Sequence, residues 1–173
     1  MQQKITTPIA KGLVIGLIMI MISTVIAVMG ENSNTALQWL VYLVFIGGII
    51  WAISSYGKQV NYNSTFGNYF AHGFKISAIV TILMIIFLII FMMLFPDFKE
   101  KAMAIARTDM ASKNYSAEDT ERGIEIANKF FTPLLIGSAL LTYLILGCIA
   151  SLIGAAITKK NPRPLDEYNE IGQ

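Results

Sequence analysis

The sequence predicts an all-α membrane protein: four transmembrane helices, an extramembrane helical hairpin between the third and fourth, and a short interfacial helix before the third. Three observations point there. Only 14% of the 173 residues are charged and 55% are hydrophobic, with a mean hydropathy of +0.61; soluble domains carry about 25% charged residues. Four apolar runs, at about residues 9–29, 36–55, 74–95 and 134–157, each supply the ~20 residues a helix needs to cross a ~30 Å hydrocarbon core. A charged insert, 97–132, separates the last two runs. One membrane domain, 1–173, accounts for the whole chain.

Lipid offers no partner to an unpaired peptide group, so each run is read as a helix. The first exceeds a signal-peptide core in length. Ala27-Val28-Met29-Gly30 offers no clean small-x-small cleavage site, so the run reads as a retained anchor. After the second run, 56–73 is rich in aromatics. Phe66, Tyr69, Phe70, Gly73 and Phe74 fall at helical spacing behind Ser64 or Thr65 as a cap. An interfacial segment over 62–73 is expected, with Phe66, Tyr69, Phe70, Phe74 and Lys75 at the headgroup level. Lys58, His72 and Lys75 offer an alternative there, a lipid-headgroup or partner site.

Pro96 and Pro133 bracket the insert. Its first helix is expected over about 97–111 and a turn over Ser112-Lys113-Asn114-Tyr115. A second helix follows, N-capped by Ser116 with Asp119 completing a capping-box variant, and ending near Phe131. Thr132 and Pro133 then open the fourth span. The two helices, each about 22 Å long, pack antiparallel. Phe98, Ile105, Met110, Ile124 and Phe131 mark the apolar face; it is the candidate surface to dock a partner, the alternatives being a solvated connector between two spans and a hairpin lying flat on the lipid. The tail, 159–173, has no apolar periodicity and is expected to be mobile, with Lys159 and Lys160 pinning the fourth span at an anionic leaflet.

Small residues recur every four positions in all four spans: Gly12 and Gly16, then Gly48 and Ala52, then Gly73, Ser77 and Thr81, then Gly147, Ser151 and Ala155. Such seams let helices approach closely in lipid. The halves of the third and fourth spans nearest the insert carry bulkier residues such as Phe87, Phe91 and Leu134, so the bundle is expected to be tight at one end and looser toward the hairpin. Basic residues flank the start of the first span (Lys4, Lys11), the second loop (Lys58, Lys75) and the end of the fourth span (Lys159, Lys160, Arg163). The positive-inside rule then places both termini in the cytoplasm and the hairpin outside.

The composition argues against several chemistries. One cysteine, Cys148, and one histidine, His72, leave too few ligands for a Cys/His metal site within one chain. Met19/Met21 and Met92/Met93 are close pairs, but their members face different ways on a helix. Ser23, Ser54, Ser77, Ser138 and Ser151 have no His or Lys base placed to activate them. No acidic residue, arginine or histidine is expected deep in a span, which speaks against proton pumps and voltage sensors. Lys11 and Lys75 are expected to snorkel from span ends. The net charge of +2 suggests no nucleic-acid partner. No enzyme, cofactor or metal is expected.

Several stretches together resemble the domain-of-unknown-function 4199 family of small bacterial membrane proteins, found chiefly in Bacteroidota. They are Gly12-Leu13-Val14-Ile15-Gly16, Phe66-Gly67-x-x-Phe70-x-x-Gly73-Phe74, Pro96-Asp97-Phe98, Tyr115-Ser116-Ala117-Glu118-Asp119, Pro133 and Ala155-Ala156-Ile157-Thr158-Lys159-Lys160. The resemblance spans nearly the whole chain and implies the four-span architecture and a bacterial inner-membrane location, with no activity attached. The leading expectation for function is a non-enzymatic accessory or scaffold subunit. Its partners would be membrane lipids and another membrane or periplasmic protein, or a second copy of itself. The alternatives are a small homo-oligomeric channel or transporter, and a lipid-binding membrane-stress factor.

Overall fold

The fold was examined in a computed structural model, which describes residues 6–30 and 34–161. Among these residues there are five helices: α1 (Pro8–Val28), α2 (Thr35–Gln59), α3 (Phe66–Leu94), α4 (Asp97–Ser112) and α5 (Ala117–Ile157). Helices α1, α2, α3 and α5 are each long and apolar enough to cross a membrane. Their outward faces carry Leu17, Trp51, Ile82 and Leu152, all exposed. A helix that is apolar on every side belongs inside a large core or in lipid. The chain is a multi-pass membrane protein.

Two element boundaries differ from the sequence expectation. The interfacial helix expected before the third span is not separate: α3 is one helix of 29 residues from Phe66. Nothing between Phe66 and Leu94 is a proline, and a helix longer than the hydrocarbon core need not break to be accommodated. Likewise the second hairpin helix does not end at Phe131. It continues through Thr132 and Pro133 into the last span as the 41 residues of α5. Pro133 removes one donor and leaves the Lys129 carbonyl without its intrahelical partner. Lys129 and Pro133 are both exposed, so that carbonyl is open to other donors, and membrane helices tolerate the break. The expected mobile tail lies outside the described residues from Pro162 on.

Helix ends follow local chemistry. Thr7 caps α1 by accepting from the Ala10 N–H at 3.3 Å, with Pro8 at the first position. Asn34 caps α2 through the Ala36 N–H at 3.1 Å. Both α2 and α4 end in the paired bonds of a left-handed C-terminal motif. In α2, Asn61 N–H reaches the Lys58 carbonyl at 3.1 Å and Tyr62 N–H the Gly57 carbonyl at 2.7 Å; in α4, Asn114 N–H reaches the Ala111 carbonyl at 3.2 Å and Tyr115 N–H the Met110 carbonyl at 3.3 Å.

The chain divides into two compact units. One joins the described residues up to Met84 with those from Tyr143 onward, and is a bundle of α1, α2, the first part of α3 and the last part of α5. Its core is Met19, Phe45, Ile49, Ile53, Ile76 and Val80, all buried. Because lipid is as apolar as these side chains, close packing rather than water exclusion holds such a bundle together. The other unit, Ile85–Thr142, holds the end of α3, α4 and the first part of α5. Ile124 is its one buried side chain among the described residues.

Candidate functional site

Glycine positions set the helix spacing in the bundle. A Cβ at Gly12 would stand 2.9 Å from Ile79 and one at Gly16 2.6 Å from Leu83, so α1 lies directly on α3. Gly48 meets Ile15 at 3.1 Å, bringing α2 to α1. Gly73 faces Ile53 and the Ser151 hydroxyl, and Gly147 faces Ser77, so α3 meets both α2 and α5. Ala52, Ser77, Ser151 and Ala155 are fully buried. Ser151 returns its hydroxyl to the Gly147 carbonyl at 2.6 Å and Thr81 to the Ser77 carbonyl at 2.8 Å. Gly57 and Gly154, outside the expected seams, serve the same purpose: a Cβ at Gly57 would stand 2.7 Å from Thr158, and one at Gly154 2.6 Å from Ile53.

One end of this bundle is polar. Thr6 and Gln59 exchange two hydrogen bonds of 2.9 and 3.0 Å. Asn161 donates its backbone N–H to the Tyr62 carbonyl at 3.0 Å and its side-chain amide to the Asn61 carbonyl at 2.8 Å. Asn61 and Tyr62 both adopt left-handed backbone, with φ of 51° and 59°. For Tyr this is a strained conformation of order 1–3 kcal/mol, which the surroundings must hold in place. The Asn161 bonds provide that hold. Lys160 lies 5.5 Å over the Phe66 ring.

Just inside this end sits a buried polar cluster. Lys11 is 4% exposed and donates to the Ala52 carbonyl at 3.0 Å. It does not snorkel; its ammonium is turned to the backbone of α2. Tyr69 is fully buried, so it is a core residue and not an interfacial anchor. His72 is 7% exposed and stacks on Tyr56 with ring centres 4.1 Å apart. Tyr56 also meets the Tyr69 ring edge-on at 5.9 Å. The Tyr69 hydroxyl and His72 Nε2 are buried without a hydrogen-bond partner among the described residues. Phe66, Phe74 and Lys75 are exposed and Phe70 is half-buried.

The hairpin unit is built differently. Ser116 accepts from the Asp119 N–H at 3.0 Å, and its own hydroxyl donates to the Asp119 carboxylate at 2.6 Å. The reciprocal bond of the expected capping box thus goes to the side chain of Ser116. Phe98 packs against Phe91 at 5.5 Å and Phe131 at 6.4 Å, Met110 closes over Gly123, and Ile124 is buried. Arg107 pairs with Glu121 at 3.2 Å across the two helices. Lys113 donates to Asp109 at 2.7 Å, a bond that holds the lysine pKa above its usual value. Of the five expected docking residues, Phe98, Met110, Ile124 and Phe131 are therefore engaged within the hairpin unit. Ile105 remains outward, 59% exposed, and Ile126 and Phe130 are outward beside the buried stripe. A cleft of about 490 Å³ between α4 and α5 is lined by Met103, Ala104 and Ile124, with Lys99, Glu100 and Arg107 among its charged groups.

The family model described as "Protein of unknown function (DUF4199)" matches residues 11–160. The chain belongs to this family. No curated protein and no solved structure matches it. The DUF4199 match covers both units, including Lys11 at its first position and Lys160 at its last. Sequence reasoning missed the burial of Lys11 and the pairing of Tyr56 with His72 in this DUF4199 protein. One signal was available: His72 stands one position before Gly73, and Tyr69 three before His72, which puts them on one helix face. The grip of Asn161 on the loop after α2 had no sequence signal, since the two are 100 positions apart.

Proposed function

We propose that this DUF4199 protein is a non-enzymatic accessory or scaffold subunit of a bacterial inner membrane. Both termini lie in the cytoplasm, and the hairpin on the far side engages a protein partner. The observation that carries this reading is the hairpin surface. Its inner apolar residues are already packed, yet Ile105, Ile126 and Phe130 stay exposed, and the α4–α5 cleft offers apolar walls beside charges of both signs. An apolar centre with a mixed polar margin suits another protein. The 97–132 segment carries six basic and seven acidic residues, a balance that suits neither nucleic acid nor an anionic lipid surface.

The test is mild extraction from native membranes through a C-terminal tag, followed by mass spectrometry of the intact assembly. A stoichiometric protein partner is expected, and it should vanish when 97–131 are deleted with the spans still inserted. A homo-oligomer alone, equally stable without the hairpin, would refute the docking reading in favour of a channel.

A further inference from the structure

The bundle unit has an unusual charge inventory. Its described residues include Lys11, Lys58, Lys75, Lys159 and Lys160 and not one Asp or Glu. Exposed lysines at a span end need no counter-charge beyond water and the membrane surface. Lys11 is different, because it is buried and meets a neutral backbone carbonyl. A buried ammonium without an opposite charge is costly, and so is each buried polar group without a partner. Here the Tyr69 and His72 rings both lie against Tyr56, and Lys11 is the charged group that acts on His72 from α1. Tyr69 and His72 stand three residues apart on one face of α3. Tyr56, which touches both rings, lies one turn beyond Ala52, the residue whose carbonyl holds Lys11. The charged groups that act on His72 are Lys11 and Lys75, both basic. Every polar group in the cluster that lacks a partner is able to donate a hydrogen bond, and no acceptor with a negative charge stands among the described residues of the unit.

We propose that Lys11, Tyr69 and His72 form a binding site for a phosphate group, at the basic end of the bundle. A phosphate supplies a negative charge that the described residues of the unit do not, and enough acceptor oxygens for an ammonium, a phenol and an imidazole from two helices. Two sources carry this group: the headgroup of an anionic phospholipid and free phosphate. Lys160 over Phe66, with Lys75 exposed one turn beyond His72, places further positive charge at this end of the bundle for either one. The site lies in a different unit from the hairpin and is independent of the docking role.

The test uses the full-length protein, stripped of lipid in a neutral detergent. The probes are short-chain phosphatidylglycerol, a phosphate-free diacylglycerol of the same chain length and inorganic phosphate, with the shift in thermal unfolding and retained lipid in native mass spectrometry as readouts. The wild type should be stabilised by phosphatidylglycerol in a saturable way. Tyr69→Phe should weaken this at least ten-fold. Without ligand the same variant should be no less stable than the wild type, since it deletes an unpartnered buried hydroxyl. Lys11→Met should abolish binding; if it does not fold, Tyr69→Phe alone decides. Stabilisation by inorganic phosphate as well, lost in the same variants, supports the site with free phosphate as a source. Stabilisation by phosphatidylglycerol alone supports it with lipid as the source. Phosphatidylglycerol binding that Tyr69→Phe leaves unchanged, equal binding of the phosphate-free diacylglycerol, or no binding by the wild type overturns the proposal.

Discussion

Gly147→Ala is the most searching perturbation of the bundle. The added methyl would stand 2.6 Å from the Ser77 Cβ and overlap its hydroxyl, with Phe45 at 3.4 Å beyond. An ordinary contact between two such carbons is about 3.5–4.0 Å, so α3 and α5 must part by about 1 Å or Ser77 must move. Rotation of the Ser77 side chain does not relieve the clash, because it moves the hydroxyl and leaves the Cβ at 2.6 Å, and the residue is fully buried. Phe45, on the far side, is fully buried too. Overpacking of this kind costs about 1–3 kcal/mol, and rigid neighbours place Gly147→Ala toward the upper end. Gly137→Ala is the matched control on the same helix, because nothing lies within 4 Å of its Cβ position. It should be neutral or stabilise by up to about 1 kcal/mol through helix propensity. Unfolding in mixed micelles measures both. Ser77→Gly in the Gly147→Ala background should recover at least half of the loss, a coupling expected of residues in direct contact. If Gly147→Ala is as stable as Gly137→Ala, or if Ser77→Gly brings no recovery, the seam does not hold α3 to α5 as described.

Two further changes probe the ends of the elements. Ser116→Ala removes both the hydrogen bond from the Asp119 N–H and the one to its carboxylate; loss of such a cap costs about 1 kcal/mol, read as faster amide exchange over the first turn of α5 with the rest of the chain unchanged. Asn161→Ala deletes the side-chain bond to the Asn61 carbonyl but keeps the backbone bond to Tyr62. The expected loss is about 1 kcal/mol, accompanied by increased protease cleavage between Asn61 and Thr65.

What was legible in the sequence was whatever depends on long apolar runs and on local spacing. The four spans follow from hydropathy because a bilayer leaves few alternatives to a helix. The Ser116 cap and the turn at Asn114 follow from side-chain chemistry within four residues. Two boundaries misled for physical reasons. Pro133 reads as a helix start in isolation, yet α5 runs through it, because one lost hydrogen bond is small against the propagation of a helix already formed on both sides. The aromatics from Phe66 to Phe74 read as an interfacial belt, since Tyr and Phe serve equally in belts and in cores. Only the approach of α2 separates the buried Tyr69 from the exposed Phe66 and Phe74.

The hairpin illustrates the same limit from the other direction. Its apolar residues were visible by periodicity, but periodicity does not say which of them the partner helix consumes. Phe98, Met110, Ile124 and Phe131 are engaged within the unit, which leaves Ile105 as the outward member of that set. The buried cluster was harder still. Lys11 lies one turn into the first span, where a lysine ordinarily reaches back to the headgroups. Its inward course depends on a carbonyl 41 positions away. The absence of any acidic residue from the four apolar runs was readable from the start. It became informative only once a lysine, a tyrosine and a histidine were found buried together, because the same lysines on the surface would have required nothing to oppose them.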